Sequence, residues 1–311
     1  MKRILVTGGA GYIGSILTGK LLKRNHQVTV IDNLYHNVHG LYPYCSDENF
    51  DFIRGDVRDQ ILIGELVAKH DIIIPLAAIV GMLACNNDRV TAEAVNYQAI
   101  KFLNKVRSTD QPIIYPCTNS GYGTKSNQVY CTEETPLEPI SLYGRTKVEA
   151  EKVLLDCPNT ISLRFATLFG VSARMRLDLL VNDFTYRAVY DSAIVLYEAD
   201  FKRNYLHVLD AAKAFCFAIA NFDTMKNQAY NVGLSQANLS KRELTERIKA
   251  YVPDFYVHTS EIGSDPDKRN YIISNEKIEA VGFRPEHTID QGIQQLIKAF
   301  RMMPRQPSKN Y

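Results

Sequence analysis

The chain has 311 residues and carries 36 Lys and Arg against 34 Asp and Glu, a formal net charge of +2. Its length accommodates one large domain or two ordinary ones, and near-neutrality without a basic block excludes the charge footprint of a nucleic-acid binder or a membrane-surface patch. With 46% hydrophobic and 23% charged residues the composition is that of a folded globular protein, not a disordered or fibrous one.

Met1–Val6 briefly imitates a signal peptide, but Gly8, Gly9, Gly11 and Gly14 interrupt the apolar run and no cleavage-like site follows. Ile4–Val6 is a short strand, and the apolar positions Ile13, Ile16, Leu17, Leu21 and Leu22 then recur at helical spacing from Tyr12 to about Arg24. Val28–Ile31 is the next strand and Phe50–Ile53 a third, followed by a helix over Ile61–Lys69. Ile72–Leu76 is nearly continuously apolar, as a strand covered on both faces should be. Helical patterns at Ala92–Val106 and Val148–Leu155 flank strands at Ile113–Tyr115 and Ile161–Phe165. Alternating strands and helices imply βαβ units and a doubly wound, Rossmann-type parallel sheet in an α/β fold. After about Gly170 the rhythm loosens. Strands at Ile194–Tyr197, Tyr205–Val208 and Ala229–Val232 mix with helices near Leu177–Val189, Leu209–Ala220, Lys241–Tyr251 and Gly292–Phe300. A division into residues 1–170, a dinucleotide-binding domain, and 171–311, a smaller α/β substrate lobe interleaved with it, is expected; the tail Pro304–Tyr311 is expected to fray.

The cysteines Cys45, Cys85, Cys117, Cys131, Cys157 and Cys216 lie far apart with no C-x-x-C, and the seven histidines show no metal-ligand spacing. No metal is expected, and the default is a reduced, cytoplasmic chain. No stretch approaches the roughly 20 apolar residues that span a bilayer.

Thr7–Gly14 sits between the first strand and the first helix and satisfies G-x-G-x-x-G from Gly9 and G-x-x-G-x-x-G from Gly8. Such glycines serve a tight turn, close backbone approach to a pyrophosphate and close helix packing, while the helix N-terminus offers N–H groups to phosphate. Gly8, Gly11, Tyr12, Ile13 and Gly14 are therefore the candidate contacts. Asp32 closes the second strand, where its carboxylate can accept both ribose hydroxyls and repel a 2′-phosphate, which favours NAD over NADP. Its neighbour Asn33 is placed on the same side. Asp56-Val57 can hold the adenine amino group, and Leu76-Ala77-Ala78 offer small residues where the cofactor crosses the sheet edge; plain strand-end packing accounts for these residues nearly as well.

Tyr143 and Lys147 stand at i and i+4 on one face of a helix start. Half-ionising a tyrosine near pH 7 needs a shift of about 3 units, roughly 4 kcal/mol. The Lys147 ammonium and a positive nicotinamide ring can together supply it, making Tyr143 a general base for a sugar hydroxyl as hydride leaves the same carbon. Thr118, in the polar turn Cys117–Gly123, can hydrogen-bond that hydroxyl.

With these features the chain resembles the extended short-chain dehydrogenases/reductases, a family of NAD-dependent nucleotide-sugar epimerases, dehydratases and dehydrogenases, over essentially its whole length. Arg164–Gly170 is similar to the family's substrate-side strand and loop. Arg203–Val208 and Asp267–Tyr271 are similar to segments whose arginines grip a nucleotide diphosphate, a task suited to guanidinium geometry. On this resemblance the substrate side comprises Thr118, Asn119, Ser120, Thr167, Arg174, Arg176, Asn182, Arg203 and Arg269. Surface charge near Asp178 and Asp183 accounts for Arg174 and Arg176 about as well, and His207 reads as a satisfied loop histidine. The catalytic set is Thr118, Tyr143 and Lys147, with Tyr143 and Lys147 also touching the cofactor.

Departures from the family narrow the chemistry. Asn119 and Ser120 stand where 4,6-dehydratases carry acids, and Ser120 where GDP-mannose 3,5-epimerases and fucose synthases carry a cysteine; Thr167 replaces an asparagine of many C4 epimerases. Val171–Phe184, Phe201–Tyr205 and Pro266–Tyr271 look most like bacterial GDP-heptose C4 dehydrogenases of capsule pathways. The resemblance thus implies oxidation of GDP-D-glycero-manno-heptose or a related GDP-sugar at C4, with NADH passed to an outside acceptor such as a keto acid. A redox-neutral 4-epimerase and a non-catalytic NAD-binding scaffold are the alternatives. A homodimer or larger assembly, paired through helices including the one that carries Tyr143, is expected by analogy.

Overall fold

A computed structural model of the chain describes residues 1–36, 39–125, 130–265 and 269–305. Five strands come first: β1 (Arg3–Thr7), β2 (Gln27–Asp32), β3 (Phe50–Arg54), β4 (Ile72–Pro75) and β5 (Ile113–Thr118). After the short β6 (Tyr130–Cys131) come β7 (Thr160–Phe165), β8 (Thr167–Phe169), β9 (Ala193–Leu196), β10 (Lys202–His207) and β11 (Gln228–Val232). The chain ends with β12 (Asn238–Ser240), β13 (Tyr256–Thr259) and β14 (Ile272–Ile273). Seven of these strands form one parallel sheet in the order β11-β7-β5-β4-β1-β2-β3. β11 comes from the second half of the chain and pairs with β7 at the sheet's edge.

Alternation along the strands divides the interior into two layers. Ile4, Val6, Val28 and Val30 point toward the helices Gly14–Leu22 and Val208–Ala220, meeting Leu17, Leu21, Ala211 and Phe215. Leu5, Ile31, Ile73 and Tyr115 point the other way, toward helices Gln60–Lys69, Ala99–Val106 and Leu142–Leu155, meeting Leu66, Leu103, Ala150 and Leu154. The sheet is thus doubly wound, and its order reverses between β1 and β4, which opens a crevice at their carboxyl ends.

The second lobe has its own core of Phe169, Phe184, Leu196, Tyr205, Leu244, Phe255, Leu296 and Phe300. Around it lie a three-stranded sheet, β12-β10-β8, and the pair β13-β9, while β14 pairs with β6 at the side. Several short elements carry too little periodicity to be expected, among them β12, β13 and the helix Met82–Asn87. Helix boundaries also move: the helix bearing Tyr143 starts at Leu142 rather than Val148, because the Ser141 side chain caps it by accepting from the Gly144 N–H at 3.1 Å. The last helix, Ile289–Met302, precedes a tail whose residues 306–311 lie outside the described residues. No described helix is long and apolar enough to cross a membrane.

Candidate active site

A cleft of about 840 Å³ runs from the carboxyl ends of β1, β2 and β3 across the sheet edge to the second lobe. It is lined by every residue expected on the cofactor side, from Gly8 through Asp32, Asp56 and Ala77 to Tyr143 and Lys147. Thr118, Ser120, Thr167, Arg174, Arg176 and Arg269 line it too. Asn119, Asn182 and Arg203 are not among the lining residues.

At the glycine loop, Gly8 adopts φ +70° and packs so closely on β4's exit that a Cβ would lie 2.5 Å from the Ala77 nitrogen. A Cβ on Gly14 would sit 2.5 Å from the Gly9 Cα, so only glycine lets the helix start this near the loop. The Gly8 N–H donates to the Ile31 carbonyl at 2.8 Å, and no side chain caps the helix at Ile13. Ser15, Ile16 and Leu17 donate to the Gly11 and Ile13 carbonyls, so the start of the helix meets the cleft at Tyr12, Ile13 and Gly14, a cradle for phosphate. The Asp32 carboxylate is aimed by two backbone N–H groups, Ala10 at 3.0 Å on Oδ2 and Leu34 at 2.8 Å on Oδ1, with lone pairs left for ribose hydroxyls. This donor set fits a dinucleotide.

Asp56 is held rather than open. Arg58 donates to it through Nε and Nη2 at 2.8 Å each, Asn33 Nδ2 adds a bond at 3.3 Å, and these partners hold its carboxyl down at about 2. The loop after β4 is set by Asn96, which the sequence reading missed. Its amide accepts from the Ile79 N–H at 2.8 Å and donates to the Ile79 carbonyl at 2.9 Å. Asn96 lies in a π-helical turn, Ala94–Gln98, and a buried amide on an otherwise apolar helix face is the trace it leaves in the sequence.

At the reaction end, Lys147 is buried and its ammonium lies 4.1 Å from the centre of the Tyr115 ring. Burial pushes Lys147 down to about 8, opposed by Cys117 and Glu151. Burial also pushes the Tyr143 phenol up to about 12, while Arg176 and Arg269 pull it back. Burial thus keeps Tyr143 protonated at neutral pH against the pull of the two arginines. One turn beyond Lys147, Glu151 accepts from Arg164 at 2.9 Å in a buried ion pair that also takes the Ser162 hydroxyl. Thr118 Oγ1 donates to Ser120 Oγ at 3.0 Å, and Ser120 Oγ accepts in turn from Arg269 Nη1. Asp267 and Lys268 lie outside the described residues.

The remaining expected residues lie behind the lining of the cleft. Arg203 is 1% exposed, donates to the Lys202 carbonyl and sits 5.5 Å from the Tyr271 ring, which itself lines the cleft. Asn182 is fully buried and spent on Gly170, Arg176 and Tyr12. Asn119 is buried, with neither amide atom hydrogen-bonded. His207 is satisfied: it accepts from the Leu209 N–H at 3.2 Å and meets Gln295 at 3.0 Å.

Residues 4–233 match the NAD dependent epimerase/dehydratase family. The chain is 28% identical to the low-salt glycan biosynthesis protein Agl12 of Haloferax volcanii, over 94% of this chain and 96% of that one. It is 25% identical to a UDP-glucose 4-epimerase of Corynebacterium glutamicum, covering 92% of each. Among solved structures, a UDP-glucuronic acid 4-epimerase of Bacillus cereus, in complex with NAD and a fluorinated UDP-sugar, superposes with a TM-score of 0.85 at 21% identity, over 96% of this chain and 99% of that one.

Proposed function

Because the chain belongs to the NAD dependent epimerase/dehydratase family and is an NAD-dependent enzyme of the extended short-chain dehydrogenase/reductase type, we propose that it oxidises C4 of a nucleotide-diphosphate sugar to the ketone. The favoured substrate is GDP-D-glycero-manno-heptose, in the making of a capsule or surface polysaccharide. NAD, when bound, supplies the hydride acceptor. Tyr143 takes the C4 hydroxyl proton, Lys147 places a positive charge beside that phenolate, and Thr118 holds the same oxygen as it becomes a carbonyl. Arg269 grips the diphosphate at the cleft, with Arg203 fixing the Tyr271 ring behind it.

One observation carries the choice of oxidation. Beside Thr118 stand Asn119 and Ser120, an amide and a hydroxyl engaged by Arg269, rather than carboxylic acids able to shuttle the proton that loss of water requires. A redox-neutral 4-epimerase needs the same Tyr143, Lys147 and Thr118, and several relatives bear that name. Incubation with GDP-, UDP-, CDP- and dTDP-sugars, following NADH and product mass, separates the two. NADH together with a product lighter by a hydrogen molecule supports the dehydrogenase; an isomer without net redox change replaces it with the epimerase. We also infer pairing of two copies through helices that include the one bearing Tyr143, beside which Leu83 and Val90 present exposed apolar side chains; a monomer in sedimentation at micromolar concentration would remove that inference.

A further inference from the structure

Between β8 and the helix Leu180–Tyr190 the chain carries Arg174 and Arg176, and this segment is stitched to the glycine loop. Ser172 Oγ donates to the Tyr12 carbonyl at 2.8 Å and meets Ser15 Oγ at 3.1 Å. A Cβ on Gly40, beyond β2, would come within 2.8 Å of the Ala173 Cβ, so the segment also lies against the loop that follows Asp32. Asn182 fixes its other end: Oδ1 accepts from the Gly170 N–H at 3.0 Å and Nδ2 donates to the Arg176 carbonyl at 2.8 Å. The Tyr12 hydroxyl closes the ring by donating to the Gly170 carbonyl at 2.6 Å.

The side chains follow the backbone. Arg174 is only 5% exposed and has Asp32, Asp178 and Arg176 as its charged neighbours. Arg176 is paired with Asp178 and faces Tyr12 and Tyr143. Both arginines line the same cleft as Gly11, Tyr12 and Gly14. Asp32, Tyr12 and Tyr143 mark the path of a dinucleotide laid across a doubly wound sheet, from adenosine ribose past the pyrophosphate to the nicotinamide. The cleft's other arginines and its lysine are placed elsewhere: Arg58 is committed to Asp56, Lys147 lies over Tyr115 and Arg269 is bonded to Ser120.

We propose that Arg174 and Arg176 belong to the dinucleotide rather than to the sugar, closing over the NAD pyrophosphate from the side opposite the helix N-terminus. The pyrophosphate then lies between backbone N–H groups at the start of the first helix and guanidinium groups of the segment stitched to it. Burial and Arg176 push Arg174 down to about 10, the condition of a cation that gains from an anion beside it.

Calorimetric titration of the full chain, freed of cofactor, with NAD, ADP-ribose and GDP tests this without turnover. For Arg174→Ala the Kd of both NAD and ADP-ribose should rise about 10- to 100-fold, as expected for loss of charge-assisted bonds, while the Kd of GDP stays put. Arg174→Met keeps the buried stem and serves in its place if the alanine variant does not fold; the same pattern is expected. An increase confined to GDP, or unchanged affinity for ADP-ribose in a folded variant, overturns the assignment. Because NAD and ADP-ribose report on the cofactor alone, the ADP-ribose outcome is independent of which sugar the enzyme oxidises.

Discussion

The two ends of the cleft are built by different means. At the adenosine end the working groups are backbone N–H donors and one carboxylate, held by residues close in sequence: the glycine loop at the start of a helix and Asp32 at the end of β2. At the reaction end the groups are side chains, with Ser120 bonded to Arg269 from far along the chain and the buried Glu151–Arg164 pair standing behind Lys147. Backbone cradles tolerate no added atom but need few partners. Buried side-chain networks tolerate small changes in shape but not the loss of a charge.

The largest effect should come at the reaction end. Tyr143→Phe removes the proton acceptor and leaves the cradle intact, so kcat should fall by on the order of 10²–10⁴, the usual worth of general acid–base catalysis. NAD affinity, read by calorimetry, should stay within a few-fold. A variant that loses NAD binding as well would show that the two ends are not separable.

Glu151→Gln tests the side-chain network behind Lys147. It leaves Arg164 buried without its counter-charge, and breaking a buried pair by removing one partner costs about 3–5 kcal/mol. Urea unfolding should show that loss, and the pH profile of turnover should move because Glu151 is one of the groups that favour the charged form of Lys147. If stability falls while the pH profile stays fixed, the pair is a packing device only.

Gly8→Ala is the matching test of the cradle. The φ of +70° and the 2.5 Å approach to Ala77 mean that strain of about 1–3 kcal/mol is the minimum expected, with NAD affinity falling together with stability. A larger loss from Glu151→Gln than from Gly8→Ala would bear out the contrast between the ends; the reverse order would break it.

This contrast also explains what could be read from the chain. The glycine loop, Asp32 and the Tyr143/Lys147 spacing are local patterns whose geometry follows from one strand, one turn and one helix, and the structure brings them to one cleft. Six strands of the central sheet were legible for the same reason, whereas β11 was expected in the second lobe and joins the sheet beside β7 through the tertiary path. The place of Arg203 was not legible: its guanidinium lies 5.5 Å from the ring of Tyr271, 68 residues further along the chain. Asn182 bonds the backbone of Gly170 and Arg176, and Asn96 went unnoticed although it sets the loop after β4. A polar side chain committed to a distant backbone leaves little periodic mark, because its partner is chosen by the tertiary path and not by neighbours in sequence.

The smallest expected effect lies at the adenosine end. Arg58, Asn33 and the Arg58 N–H stabilise the charged form of Asp56 and hold it at about 2, below the value of about 3.9 for an unfolded chain. A carboxyl lowered on folding contributes stability that is fully present above the unfolded value and disappears as pH falls through the folded one. The pair is largely solvent-exposed, which limits that contribution to about 0.2–1 kcal/mol. Asp56→Asn should therefore cost a few tenths of a kcal/mol between pH 5 and 7, and the gap between wild type and variant in urea unfolding should close as pH drops below 4. Raised salt should narrow the gap at neutral pH, because screening acts on exposed charges. A gap that has not shrunk by pH 2, or that ignores salt, would mean that Asp56 acts through its hydrogen bonds to Asn33 and to backbone rather than through its charge, and would bring this surface pair closer in kind to the rigid backbone cradle beside it.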